Sequence, residues 1–246
     1  MSLSVQSTTR TLSDRIWSLA PCLKYRLALD EGSRREIFRL RHDAYLREGG
    51  ITARSDGLFR DAADEAGNTH LFGIYIDGVL MSSIRLSIAT RESPDIPSGP
   101  VFQDILAPRI ADGLVVVDPT RFTVDHAKSR LHPELPYITL RVAWLAMEHF
   151  GADILLAAVR PEHAAFYRRF WNTRAVTEPR TYPLLAKPIT LTMSDYGESR
   201  ELVESRYPFL ASTAAERAEV FGGIRAHEKD VFRLKSSEQR GHYALA

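Results

Sequence analysis

Two apolar segments joined by Asp77-Gly78 constrain the fold more than any other feature of the sequence. Residues 71–76 and 80–89 have the length of strands and are rich in leucine, isoleucine and aromatic residues. An Asp-Gly pair between two such segments is typical of a type I′ turn, in which both central residues take positive φ. The sequence therefore predicts an antiparallel β-hairpin at this point.

Strand-like and helix-like segments alternate on both sides of this hairpin. Such an order, with hairpins and crossovers mixed, predicts a mixed sheet flanked by helices, which is an α/β fold. Further strands are predicted at residues 25–29, 114–124, 154–159 and 189–193, helices at residues 12–19, 137–150, 162–171 and between Ser33 and Gly49, and one helical turn at residues 102–106.

The chain of 246 residues divides into three parts by its pattern. We expect a weakly patterned arm at residues 1–19, an α/β domain at residues 20–196 and a charged helical extension at residues 197–246. The sequence does not decide whether the extension supports a homodimer or lies across the domain.

Charge and cysteine content exclude several classes of protein. The formal net charge is only +1, whereas nucleic-acid binding usually shows as a clear basic excess. A single cysteine, Cys22, excludes a disulfide framework. We find no signal peptide and no apolar run near the length of a membrane span, so we expect a cytoplasmic protein without a membrane segment.

Common catalytic signatures are absent from the sequence. It contains no G-x-x-x-x-G-K-[ST] loop, no G-x-G-x-x-G turn, no G-x-S-x-G elbow and no H-E-x-x-H pair. We therefore predict neither a nucleotide cofactor nor a metal site.

The informative residues are charged side chains set among apolar ones. An ionised group in such a segment must be paired or must bind something charged. The sequence alone leaves both possibilities open, namely a half-buried ion-pair network and a substrate site. The residues are Arg41 and Tyr45, Asp61 and Asp64, Arg85 in one predicted strand, and Asp118 and Arg121 in the next.

The same predicted strand contains Pro119. Proline cannot donate in a β-ladder, so we expect the strand to be bulged or splayed there. A bulge leaves backbone N–H groups near residues 122–124 free to bind a ligand.

These motifs together resemble the acyl-homoserine lactone (autoinducer) synthases and the N-acyl amino acid synthases, two branches of the GCN5-related N-acetyltransferase (GNAT) superfamily. Their Arg-x-x-x-aromatic motif matches Arg41 and Tyr45, and their D-x-x-D motif matches Asp61 and Asp64. Two strand motifs match residues 82–86 and 118–124. The resemblance extends over residues 25–193 and implies a GNAT-like, mainly antiparallel central sheet.

The resemblance implies an acyltransferase that takes its acyl chain from an acyl-phosphopantetheine thioester, on acyl carrier protein or coenzyme A, with no tightly bound cofactor. Asp118 would accept the proton of the acceptor amine, and Arg85 and Arg121 would hold the acceptor carboxylate. The expected substrate-binding residues are Arg41, Tyr45, Asp61 and Asp64, the backbone at Phe122, Thr123 and Val124, Trp144 for the acyl chain, and Tyr167 beside the leaving thiolate.

Departures from the lactone synthases favour the N-acyl amino acid branch. Their tryptophan after the first motif is Ile51 here, and their strand glutamate is Asp118. Residues 125–137 contain no glycine, whereas coenzyme A enzymes use a glycine-rich loop for the pyrophosphate. We thus expect acyl carrier protein as donor and an amino acid as acceptor, with a docking patch of Lys128, Arg130, Arg168 and Arg169.

Three alternatives remain open from the sequence: a lactone synthase that uses S-adenosylmethionine, an acetyl-coenzyme A N-acetyltransferase, and a non-catalytic acyl-binding module.

Overall fold

The computed structural model describes residues 10–182 and 187–224. In these residues seven strands form a single sheet in the order β1-β2-β3-β4-β5-β7-β6. Neighbouring strands are antiparallel except β4 and β5, which are parallel. The strands are β1 (Leu23–Leu27), β2 (Thr69–Ile76), β3 (Val79–Ala89), β4 (Val116–Val124), β5 (Ile154–Val159), β6 (Arg174–Ala175) and β7 (Thr190–Asp195).

Helices cover both faces of this sheet, which confirms the mixed, mainly antiparallel α/β fold. On one face, α2 packs on β3 and β4, and α3 contributes to an apolar cluster with β4 and β5. On the other face lie α5, α6 and α8. The helices are α1 (Leu12–Leu19), α2 (Glu31–Arg47), α3 (Gly99–Ala111), α4 (His126–Ser129), α5 (Leu135–His149), α6 (Pro161–Trp171), α7 (Tyr196–Arg206) and α8 (Ala214–Phe221), with 3-10 turns at Ala62–Glu65 and Pro208–Leu210.

The central hairpin forms as predicted. Asp77 and Gly78 have φ values of 50° and 77°, the double positive φ of a type I′ turn. The turn joins β2 to β3, and Ile76 pairs with Val79 directly beside it. The hairpin places Arg85 in the middle of β3, opposite Thr120 of β4.

Several elements differ from the prediction. The helical turn at residues 102–106 is part of α3, which continues through Pro108 because a proline removes only one hydrogen bond from a helix that is otherwise held by packing. The first strand begins and ends two residues earlier than predicted, and α2, with Asp30 as its N-cap, begins before Ser33. The short β6 was not predicted, because two residues carry no periodic signal.

Pro119 marks the point where β4 leaves β5. The two strands pair only at Val116↔Ile154 and Val117↔Leu155 and then separate, which confirms a splay at the proline. The bulge lies two residues later than the proline: Arg85 pairs with Thr120 and Ser83 with Thr123, so β4 has one extra residue between them. Arg121 lies in that stretch with a φ of 52°.

The described part of the C-terminal extension is helical and joins the main core. Val203, Phe209, Leu210 and Phe221 are buried in the same cluster as α5. Residues 225–246 and 1–9 lie outside the described residues, so the three-part division of the chain stays a prediction. In residues 10–182 and 187–224, no helix combines the length and apolarity needed to cross a membrane.

Candidate active site

Five of the predicted charged residues form one network on the face of the sheet covered by α2. Asp64 lies at its centre and is only 1% exposed. One oxygen of Asp64 accepts hydrogen bonds from Nη1 of Arg41 at 2.7 Å and from Nη1 of Arg85 at 3.1 Å. These contacts join α2, the 3-10 turn after Asp61 and strand β3.

Asp61 extends the network to β4. Its Oδ1 accepts from Nη1 of Arg85 at 2.6 Å, and its Oδ2 accepts from Nη2 and Nε of Arg121 at 2.6 and 3.2 Å. Nε of Arg85 donates to the hydroxyl of Thr120 at 2.8 Å. Although burial alone raises the pKa of Asp61, Arg85 and Arg121 hold that pKa below its usual value.

The two aspartates owe their positions to a capping box. Asp61 is the N-cap of the 3-10 turn and accepts from the backbone N–H of Ala63, while Asp64 accepts from the N–H of Asp61 at 2.9 Å. Cap and N3 position are three residues apart, which is the spacing of the D-x-x-D motif. The motif therefore places two carboxylates side by side before any arginine approaches them.

Aromatic rings enclose the outer end of the network. The guanidinium carbon of Arg121 lies 4.6 Å from the ring centre of Phe59 and 5.5 Å from that of Tyr45. The two rings are 4.8 Å apart and tilted. The structure thus places Tyr45 next to the network. Phe59 lies in a polar, aperiodic stretch of the sequence and was not predicted there.

The network holds more positive than negative charge. Three guanidiniums share the carboxylates of Asp61 and Asp64. Arg41 is fully buried, its Nε and Nη2 have no hydrogen-bond partner among the described residues, and burial lowers its pKa. The five residues of the network therefore carry a net formal charge of +1, from three arginines and two aspartates.

Asp118 lies on the same face of the sheet but outside this network. It is fully buried, and its two oxygens accept from the backbone N–H and the hydroxyl of Ser98, each at 2.9 Å. Burial raises the pKa of Asp118, which makes its carboxylate a stronger base than an exposed aspartate. Ser98 was not predicted, since a single serine in a Pro/Ser-rich loop carries no pattern.

A cleft opens where β4 and β5 separate. It contains about 220 Å³ of empty space, including the part open to solvent. Tyr167 of α6 lies in its wall, and burial raises the pKa of this phenol to about 12. The lining residues are Pro119, Phe122, Leu140, Leu156, Ala157, Val159, Tyr167 and Trp171.

The charged face of the sheet and the cleft each include one of two consecutive residues of β4. Successive side chains of a strand leave opposite faces, so Asp118 points to the side of Arg85 and Pro119 to the cleft. The beginning of the cleft and the buried carboxylate are therefore one residue apart along the chain.

Not every predicted residue lies at the cleft. Phe122 lines it. Thr123 is buried, and its hydroxyl donates to the carbonyl of Arg121. Val124 packs against the apolar cluster that contains Met81. Trp144 lies elsewhere on α5, where its indole donates to Glu204 and packs on Tyr196; Leu140 is the residue of α5 that lines the cleft. Among the described residues there is no cluster of three or more potential metal ligands.

Comparison with known proteins identifies the family of the chain. The profile of the family "N-acyl amino acid synthase FeeM" matches residues 36–195. A comparison with curated protein sequences gave no match.

Several solved structures share the fold. FeeM, an N-acyl amino acid synthase from uncultured soil microbes, has 17% sequence identity and a TM-score of 0.62, with 74% of this chain and 97% of that chain covered. BjaI, a coenzyme A-dependent acyl-homoserine lactone synthase, has 15% identity and a TM-score of 0.56, with 76% and 89% covered. TofI, solved with an inhibitor and MTA, has 17% identity and a TM-score of 0.56, with 77% and 99% covered.

The family match spans most of α2, the charged network, both walls of the cleft and all of β7. The protein is therefore an acyltransferase of the GNAT fold, and the chain belongs to the FeeM family of N-acyl amino acid synthases.

Proposed function

We propose that the protein transfers a long-chain acyl group from the thioester of acyl carrier protein to the α-amine of an amino acid. The observation that carries this proposal is that Asp118, with its buried carboxylate, directly precedes Pro119, which lines the cleft. A narrow cleft with apolar walls suits a pantetheine arm, and an excess of guanidinium charge suits an acceptor that carries a carboxylate.

The reaction in this proposal is the aminolysis of a thioester. The amine nitrogen attacks the carbonyl carbon, a C–N bond forms, the C–S bond breaks, and the proton of the amine finally reaches the thiol sulfur. Asp118 receives that proton first, since its raised pKa makes it a competent base. No covalent intermediate on the enzyme is needed, and most of the rate comes from positioning.

Tyr167 stabilises the leaving thiolate in this scheme. Tyr167 lines the cleft. Its phenol has a pKa of about 12 and is therefore a weaker acid than a thiol. We therefore assign it a hydrogen bond to the sulfur and not the transfer of a proton. The free backbone edge of β4 beyond Val117 would bind the amides of pantetheine or the developing oxyanion.

Arg121 is the arginine best placed for the acceptor. Its side chain is 15% exposed, whereas those of Arg85 and Arg41 are 3% and 0% exposed. We propose that Arg121 meets the acceptor carboxylate while Arg85, bonded to Asp61, Asp64 and Thr120, fixes the geometry.

The segment after β4 supports acyl carrier protein over coenzyme A as the donor. Asp125 caps α4, and its Oδ1 accepts from the N–H groups of Ala127 and Lys128 at 3.0 and 3.2 Å. An internal carboxylate thus occupies donors that would otherwise be free for a pyrophosphate. A pantetheine arm on a carrier protein has only one phosphodiester and does not need them.

A docking patch for the acidic carrier protein remains part of the proposal in a modified form. Arg130, Arg168 and Arg169 are exposed, and the side chain of Arg206 donates to the carbonyl of Arg169. Lys128 is less available than predicted, because its ammonium donates to the carbonyl of Leu80 and pairs with Asp125 at 3.0 Å.

The test is turnover by the purified protein with hexadecanoyl-acyl carrier protein and a mixture of the proteinogenic amino acids, analysed by mass spectrometry. We expect an N-hexadecanoyl amino acid. Parallel reactions contain hexadecanoyl-coenzyme A as donor or S-adenosylmethionine as acceptor. Asp118→Asn should reduce turnover by about 10²-fold or more, whereas Asp104→Asn, at an exposed carboxylate paired with Arg180, should leave it unchanged.

Each result decides one part of the proposal. An N-acyl lactone from S-adenosylmethionine would overturn the acceptor, and turnover with the coenzyme A donor alone would overturn the carrier protein. Bound acyl chains without product from any pair would overturn the activity in favour of a binding module. Full turnover by Asp118→Asn would remove Asp118 from the mechanism.

A further inference from the structure

Ser98 contacts Asp118 in an unusual way. It is the N-cap of α3, yet its hydroxyl makes no capping bond to that helix. A serine at this position normally accepts from the second or third N–H of its helix, and losing that bond costs about 1 kcal/mol. Here the hydroxyl donates to Oδ1 of Asp118 and the backbone N–H donates to Oδ2.

The pair is isolated from solvent. Both residues are 0% exposed, and Ser98 provides the only hydrogen bonds to the Asp118 carboxylate among the described residues. The ionisable groups that face Asp118 are Arg85 on β3 and the phenol of Tyr182. One donor on each oxygen fixes the plane of the carboxyl group, while each oxygen keeps a lone pair for a proton.

The loop that carries Ser98 is itself held in place. The hydroxyl of Tyr182 donates to the carbonyl of Pro97 at 2.8 Å, and the side-chain amide of Asn68 donates to the carbonyl of Asp95 at 2.9 Å. The N–H of Gly99 donates to the carbonyl of Ile96. The donors of Ser98 are therefore fixed relative to β4 before any substrate arrives.

We propose that Ser98 is a positioning residue for the acyl transfer: its two hydrogen bonds hold the Asp118 carboxylate in the orientation in which it receives the proton of the attacking amine. The inference rests on the proposed function, in which Asp118 is the proton acceptor. Ser98 itself touches neither substrate in this scheme and acts only through Asp118.

Ser87 provides a matched control. It lies directly opposite Asp118 across the β3–β4 ladder and is equally buried, but its hydroxyl bonds to that of Thr69 at 2.7 Å and not to Asp118. Ser87→Ala and Ser98→Ala therefore both remove a buried hydroxyl beside the same carboxylate. Only Ser98→Ala removes a hydrogen bond to it.

The experiment measures two quantities on the full chain: the pH profile of kcat/KM and the titration of the Asp118 carboxyl by ¹³C NMR, with the signal assigned by its loss in Asp118→Asn. The bonds from Ser98 favour the carboxylate, so removing one raises the pKa of Asp118. In Ser98→Ala we expect the titration and the acid limb of kcat/KM to move together to higher pH by about half a unit to one unit. Ser98→Thr should restore both, and Ser87→Ala should move neither.

The outcomes separate this inference from the proposed function. If Ser98→Ala leaves the titration or the acid limb where the wild type has it, or if Ser87→Ala shifts them equally, Ser98 is not a positioning residue. If the wild type has no acyltransferase activity on any amino acid, the proposed function fails, and this inference fails with it whatever the carboxyl titration shows.

Discussion

Replacing Asp64 by asparagine is expected to destabilise the protein more than any other single loss of charge in the network. Asp64 is 1% exposed and accepts from Arg41, Arg85 and the backbone N–H of Asp61. Asparagine has the same shape but no charge. One of the two accepting oxygens becomes an NH₂ group, which would face an N–H group and could not accept its hydrogen bond. Two buried guanidiniums would then lose a shared counter-ion.

The size of the effect follows from the burial of both partners. Removing one member of a buried ion pair costs about 3–5 kcal/mol, because the remaining charge is left without compensation. For a chain of this size 1 kcal/mol corresponds to a change of about 2–4 °C in Tm, so we expect Asp64→Asn to lower Tm by roughly 6–20 °C. Arg41→Met should cost less, since Asp64 keeps Arg85 and the unpartnered Nε and Nη2 of Arg41 disappear.

The assay is urea and thermal unfolding followed by circular dichroism. Glu65→Gln is the control at the neighbouring position, because Glu65 is 68% exposed and pairs with Arg34 at 2.7 Å. A surface pair of this kind contributes about 0–1 kcal/mol. If Asp64→Asn and Glu65→Gln have the same small effect, or if Arg41→Met is the more damaging change, Asp64 is not the counter-ion that stabilises this network.

Three further outcomes are expected. Tyr167→Phe should lower kcat by about 10-fold with little change in the KM of either substrate, a smaller fall than the loss of full acid catalysis would give. With a thioester whose thiol is more acidic, the same substitution should lower kcat less. An unchanged kcat would remove the phenol from the mechanism. Arg121→Lys keeps the charge but loses the bidentate hydrogen bond that a guanidinium can make to the acceptor carboxylate, so the KM of the amino acid should rise by about 10-fold. Initial rates at varied concentrations of the amino acid would detect this change. Burial and His149 lower the pKa of His70 to about 4, so the unfolded chain takes up a proton between pH 6.5 and 4 that the folded protein does not. The free energy of unfolding of the wild type should therefore fall by up to about 3 kcal/mol over that range. Urea unfolding should show a smaller fall for His70→Phe.

The periodic elements of the fold were predictable because each depends on its own residues. The Asp-Gly turn fixes the β2–β3 hairpin, and β5 is a short apolar run with the same bounds in sequence and structure. Elements that depend on packing were not predictable. The sequence gives no reason for α3 to continue through Pro108, and α5 is buried on almost every side, so its pattern could not tell Leu140 at the cleft from Trp144 in the core.

The site was predictable in its residues and less so in its contacts. An arginine or aspartate in an apolar strand must have a partner, and this argument found Arg85, Asp118 and Arg121. Which partner each one has depends on the tertiary fold: Ser98 reaches Asp118 from a loop twenty residues away in sequence. The capping box of Asp61 and Asp64 is the exception, because its spacing is local and could have been recognised.

The bulge in β4 explains how one strand serves both halves of the site. In a regular strand Arg121 would share a face with Val117 and Pro119, and its guanidinium would point into the apolar cleft. The extra residue lets Thr120 and Arg121 both face the charged network and turns Phe122 to the cleft. A non-glycine residue with positive φ is unfavourable by roughly 1–2 kcal/mol, and the double hydrogen bond to Asp61 offsets that strain. Bulge, network and cleft are therefore one structural feature, and Asp118 lies just before the bulge.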